Sequence, residues 1–164
     1  MRDLAPPAQE RLARDTAESA QLYLRDGDRR VCIDAVESTA ELRTIVAVGV
    51  SLPLTKGSAG KVFLTWADPR DRERLLAANA GEAPALERQI AAARRRGWAS
   101  SVGERETGVA SVSAPVFDRS GTLLAAVSVS GPANRIGAGG GRRYAPAVRA
   151  AAAEIAGALG ESSG

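Results

Sequence analysis

Two runs in the last third of the chain alternate with period two, and in both the recurring polar residue is serine. In Val109-Ala110-Ser111-Val112-Ser113-Ala114-Pro115-Val116, Ser111 and Ser113 share one face. In Ala125-Ala126-Val127-Ser128-Val129-Ser130-Gly131-Pro132, Ser128 and Ser130 do the same. This period predicts strands. A buried hydroxyl without a partner costs about 1–3 kcal/mol. A sheet face that carries such a row therefore either meets water or offers its hydroxyls to something polar, such as a small ligand. Asp118-Arg119-Ser120-Gly121, rich in turn formers, joins the two runs. A four-residue loop would set Phe117 opposite Thr122, Ser111 opposite Ser128, Val109 opposite Ser130 and Ser113 opposite Ala126. Ser111, Ser128 and Ser130 would then cluster. A slip of one residue would turn a strand's whole set to the other face.

A length of 164 residues suits one domain with a real core, and 45% hydrophobic with 25% charged residues is ordinary for a globular chain. No apolar run of about 18 residues is present, so no membrane span is expected, and residues 1–10 lack a signal-peptide core. Cys32 is the only cysteine; it excludes an intrachain disulfide, fits a cytoplasmic setting and reads as a core thiol. Histidine is absent. A Ser-His-Asp triad, a histidine base and most zinc sites fall with it, and neither a metal nor a cofactor is expected. The net charge is +3, carried almost wholly by arginine, with Lys56 and Lys61 the only lysines. Arg94-Arg95-Arg96 reads as the solvated last turn of a helix, where cations favour the dipole.

Along the chain, residues 8–18 read as a helix after Pro6-Pro7. Residues 21–24 and 31–36 read as a hairpin around Arg25-Asp26-Gly27-Asp28. Residues 43–49 read as a third strand and 57–66 as a helix. Asp68 is an N-cap with Pro69 at the first helical position. Leu86, Ile90 and Ala93 keep helical spacing up to Gly97, a C-terminal glycine. Tyr144, Val148, Ala151, Ala152, Ile155 and Leu159 form the stripe of a last helix, preceded by a loop at 138–141. The order of helix, three strands, three helices, three strands and helix predicts an α+β single domain: one six-stranded, mostly antiparallel sheet with packed helices.

Two motifs bear on chemistry. Ser58-Ala59-Gly60-Lys61 matches S-x-x-K, which would make Ser58 a nucleophile and Lys61 its base in an acyl-transfer enzyme, but the companion S-D-N and K-T-G motifs are missing. Gly57-Ser58-Ala59-Gly60 at a helix start also exposes backbone N–H groups that suit an anion such as a carboxylate. A third reading is a dimerisation module with a vestigial pocket. Glu104-Arg105-Glu106 reads as a solvated charged loop.

The chain resembles the C-terminal effector-binding domain of IclR-family transcription regulators. Leu52-Pro53-Leu54 before Gly57-Ser58-Ala59-Gly60-Lys61, Arg95-Arg96-Gly97-Trp98, Glu104 with Gly108-Val109, Ala114-Pro115-Val116-Phe117-Asp118 and Val127-Ser128-Val129-Ser130-Gly131-Pro132 carry the resemblance, in the family's order. The wording from Arg95 to Val116 resembles the NdgR/LtbR-like regulators of leucine and other amino-acid biosynthesis. The resemblance implies a GAF/PAS-like profile and no enzymatic activity. It implies that residues 1–18 are the end of a linker helix, that 19–160 form the effector domain, and that a winged helix-turn-helix is missing from this chain. It further implies a small carboxylate effector (an amino acid, keto acid or aromatic acid), a homodimer or tetramer, and operator DNA bound only through the missing part. Carried over residue by residue, Ser58 and Ala59 supply N–H groups, and Ser128 and Ser130 match the family's paired serines. Ser111 stands where some members have cysteine, and Ser101 where some have aspartate. Thr44, Leu52 and Val109 form the wall; the small Thr44 leaves room for a larger effector.

Overall fold

The computed structural model describes residues 6–39 and 46–162. A helix α1, Pro6–Thr16, leads into strands β1, Ser19–Asp26, and β2, Arg29–Val36. Strand β3, Ser51–Pro53, is followed by helices α2, Ser58–Thr65, α3, Pro69–Ala78, and α4, Ala83–Arg96. Strands β4, Ala99–Val102, β5, Val109–Phe117, and β6, Leu123–Pro132, come next, then a short helix α5, Ala133–Ile136, and the long α6, Ala145–Ser162. The six strands form one sheet in the order β3-β2-β1-β6-β5-β4, and every neighbouring pair is antiparallel. The first and last hairpins therefore meet at β1 and β6 in the middle of the sheet.

Both sheet faces are covered, as the apolar residues on alternate positions require. Ala110, Val112, Ala114 and Val116 of β5 pack with Val127 and Val129 of β6 against Leu12 of α1 and Val148, Ala152 and Ile155 of α6. On the other face Tyr23, Cys32 and Ala126 pack against Val62 and Phe63 of α2 and Leu86 and Ile90 of α4. The serines of β5 and β6 lie on this second face, under α2. Among the described residues no helix is long and apolar enough to cross a membrane.

Local chemistry sets the element ends. The Asp68 carboxylate accepts from the Arg70 N–H at 3.0 Å, with Pro69 opening α3, and Gly97 ends α4 in the left-handed region. Helix α1 starts and stops two residues before the expected range. Pro6 and Pro7 are preset for a first helical turn. The Thr16 hydroxyl, bonded to Leu12 O at 2.7 Å and taking the Glu18 N–H at 3.2 Å, closes the helix. Of the strand expected at 43–49, residues 43–45 lie outside the described residues, and the rest is not strand. Gly49 has φ +94° and the Val50 N–H bonds Ala47 O at 3.2 Å, so the chain turns there and pairs only from Ser51.

The β5–β6 register differs from the expected one by two residues. Ser111 faces Ser130, Ser113 faces Ser128 and Val109 faces Pro132. The loop runs from Asp118 to Thr122, closed by Phe117 opposite Leu123, and a bulge before Val116–Ala125 shifts the ladder again. The Asp118 carboxylate shapes this loop by accepting from the Ser120 and Thr122 N–H groups, both at 2.9 Å. A slip of two preserves facing, so the serines still gather on one side.

Candidate functional site

Helix α2 begins over the serine face. Its N-cap, Gly57, has φ +86°, and a Cβ there would lie 2.6 Å from the Arg30 guanidinium, so glycine is required by conformation and by space. Gly60, one turn on, is as constrained: a Cβ would lie 2.1 Å from Leu54 O. This close approach sets Ser58 and Ala59 against the sheet with first-turn N–H groups that the helix cannot satisfy.

The hydroxyls form a chain. Ser101 Oγ lies 2.9 Å from Ser111 Oγ, which lies 2.6 Å from Ser58 Oγ; Ser58 Oγ is 2.6 Å from Ser113 Oγ, which bonds Ser128 Oγ. The Ser58 N–H also donates to Ser111 Oγ at 3.4 Å. Five hydroxyls carry five protons, and these four contacts consume four. One donor is therefore spare. The chain ends, Ser101 and Ser128, can deliver it into the cavity, and Ser111 can once the Ser58 N–H no longer donates to it; the other members turn to donate toward the one that delivers, and such aligned donation is cooperative. Ser130 stands apart from the chain and donates to Gln21 Oε1 at 3.0 Å.

A cavity of about 20 Å³ opens on this chain, room for about one water. Ser58, Ala59, Ser101, Ser111, Ser128 and Ser130 line it together with Val109. Leu52, expected on the wall, does not. It sits on the edge strand β3, separated from β6 by β2 and β1, opposite Arg30, and packs toward the Tyr23–Cys32–Leu54 cluster. Thr44 lies outside the described residues. Sequence reasoning missed Gln21, Tyr23, Arg30 and Arg105, which also line the cavity, with Val46, Gly57 and Ala110 beside them. It also missed Ser113, fully buried in the middle of the hydroxyl chain.

Glu104 departs from the solvated loop expected for it. Its carboxylate takes the nearly buried Lys61 ammonium as an ion pair, the Gly57 N–H at 3.3 Å and the Gln89 amide at 3.4 Å. It thus caps α2 from outside the helix. Burial pulls the Lys61 pKa below its ordinary value, and the Glu104 partner opposes this. The Lys61 ammonium also donates to Ser100 O at 3.3 Å. Ser58 Oγ is held by Ser111 and Ser113, so serine and lysine are engaged separately and form no nucleophile–base pair. Among the described residues no group of three or more potential metal ligands occurs.

Comparison with known proteins agrees with this architecture. The family described as bacterial transcriptional regulator IclR C-terminal matches residues 1–157. The HTH-type transcriptional regulator KdgR of Escherichia coli is 29% identical over 162 residues, covering 91% of this chain and 60% of that protein. The glycerol operon regulatory protein of Streptomyces griseus is 34% identical over 133 residues, covering 76% of this chain and 52% of that protein. The crystal structure of Thermotoga maritima IclR superposes with a TM-score of 0.86 at 27% identity, over 97% of this chain and 68% of that one. The solved C-terminal domain of E. coli KdgR gives 0.80 at 26%, over 98% and 99%. The chain spans about half the length of the curated relatives it matches. These relatives are named as regulators. The chain belongs to the IclR family of bacterial transcriptional regulators, as their C-terminal domain.

Proposed function

We propose that this domain senses a small carboxylate effector in the serine-lined cavity. The observation that carries the reading is the hydroxyl chain with one spare proton, laid against the N-terminus of α2. A carboxylate there would take the N–H groups of Ser58 and Ala59, where the helix dipole favours negative charge. It would also take the spare proton through Ser101, Ser111 or Ser128 and the Ser130 proton turned to it from Gln21 Oε1, with Val109 on the apolar wall. Entry requires the cavity to widen. The effector class is an amino acid, keto acid or aromatic acid. In the whole protein the bound state would control a winged helix-turn-helix outside this chain, in the cytoplasm, through a dimer or tetramer. Residues 1–18 would be the end of the linker helix and residues 19–160 the sensing unit. Leucine and other amino-acid biosynthesis genes are the proposed targets.

The small volume of the cavity is what favours the vestigial-pocket alternative, and titration separates the two. Isothermal titration against a panel of such acids should find a binder. A hydroxyl bonded to a carboxylate contributes about 1.5–3 kcal/mol. Ser128→Ala or Ser130→Ala should therefore weaken binding by roughly one to two orders of magnitude. Ser101→Ala, on the short β4 before the 103–108 loop, should cost less. A panel without a binder, or a binder indifferent to all three changes, refutes the reading.

A further inference from the structure

Besides the serines and the α2 N-terminus, the cavity is lined by two arginines. Arg30 of β2 is only 2% exposed. Its NH1 donates to Pro53 O and Lys56 O, both at 2.5 Å. Its guanidinium carbon lies 5.1 Å from the centre of the Tyr23 ring. Its Nε–H, buried, has no partner among the described residues. Buried donors are rarely left so. Arg105, from the loop between β4 and β5, lines the same cavity, and its ionic contact is with the exposed Glu106 at 3.9 Å. Among the described residues no carboxylate lines the cavity. Glu104, which precedes Arg105, is committed to Lys61, Gly57 and Gln89. Burial pulls the Arg30 pKa down and the Arg105 charge adds to this, with Tyr23 and Glu104 opposing. Two cations thus face a cavity whose serines and helix N-terminus form a neutral anion cradle.

We propose that Arg30, assisted by Arg105, receives a second acidic group of the effector, so that the domain selects a small dicarboxylate over a monocarboxylate of equal length. One acid group would meet the α2 N-terminus and the hydroxyl chain. The other would take the unpartnered Nε–H of Arg30 in a charge-assisted bond. This inference rests on the reading of the cavity as the effector site.

The test is titration of the wild-type domain with length-matched pairs: succinate against butyrate, and 2-oxoglutarate against 2-oxovalerate. The dicarboxylate of a pair should bind at least about tenfold tighter. Arg30→Met should abolish that ratio, whatever it does to the two affinities together. Arg105→Met, a change at a less buried position, should shrink the same ratio and serves where Arg30→Met does not fold. A ratio is read because a merely structural loss would weaken both acids alike. Equal binding of the two acids of each pair, with the monocarboxylate still sensitive to Ser130→Ala, overturns the dicarboxylate inference and leaves the effector site standing. A wild-type preference that survives Arg30→Met, or Arg105→Met where that variant alone folds, overturns the role of these arginines. Failure of every acid to bind overturns both.

Discussion

Replacing Lys61 by methionine removes the cation that holds Glu104 over the first turn of α2. Lys61 is 1% exposed and Glu104 is 22% exposed on its side chain. Breaking a buried ion pair from one side costs about 3–5 kcal/mol, because the other charge stays behind. Glu104 keeps the Gly57 N–H, the Gln89 amide and some water, so the low end, about 3 kcal/mol, applies. In a domain of this size that lowers Tm by about 6–12 °C. Glu104→Gln strands the more deeply buried partner and should cost at least as much at pH 7. Its deficit should narrow toward pH 10. A buried lysine whose folded pKa lies below 10.5 gains stability as pH rises toward that value, and loss of Glu104 lowers the folded pKa further. The double variant Lys61→Met/Glu104→Gln should be more stable than the sum of the singles implies. Thermal melts of the three variants at pH 7 and pH 10 decide. Singles within about 0.5 kcal/mol of wild type would refute the reasoning.

Gly60→Ala should destabilise although helix propensity favours alanine by about 1 kcal/mol; the Cβ would meet Leu54 O at 2.1 Å, and overpacking at about 1–3 kcal/mol wins. A raised Tm would contradict this. The Asp71 carboxyl is held below the ordinary 3.8 first by Arg25 and then by Arg74, so its contribution is present above about pH 3.8 and lost as pH falls through that region. Asp71→Asn should thus lower Tm at pH 7 by more than it does at pH 2. Burial pushes the Cys32 thiol up to about 11, so an alkylating reagent at pH 8 should label the unfolded chain and spare the folded one.

Much of the fold was legible in the sequence because its signals are local. The Asp68-Pro69 cap, the Gly97 stop, the hairpin at Gly27 and the period-two serines each depend on a few neighbouring residues. The β5–β6 register was misjudged because a bulge and one extra loop residue leave no mark that spacing alone can show. The facing of the serines survived because the error was even. Ser113 was paired with Ala126 on paper and so dropped out of the cluster. Glu104 read as solvated because its partner, Lys61, lies 43 residues away. Arg30 follows Arg29 in a run where either could face water; only the cover of Pro53, Lys56 and Gly57 shows which is buried. Leu52 was set on the wall by resemblance, and the edge position of β3 removes it.

The central claim, that an acid docks at the start of α2, is tested most directly by following backbone amides in nuclear magnetic resonance during titration with the tightest acid found. The Ser58 and Ala59 amide protons should move furthest and downfield, as charge-assisted donors do, with Ser111 and Ser128 following. Saturating shifts confined to another face, with Ser58 and Ala59 unmoved, would contradict it.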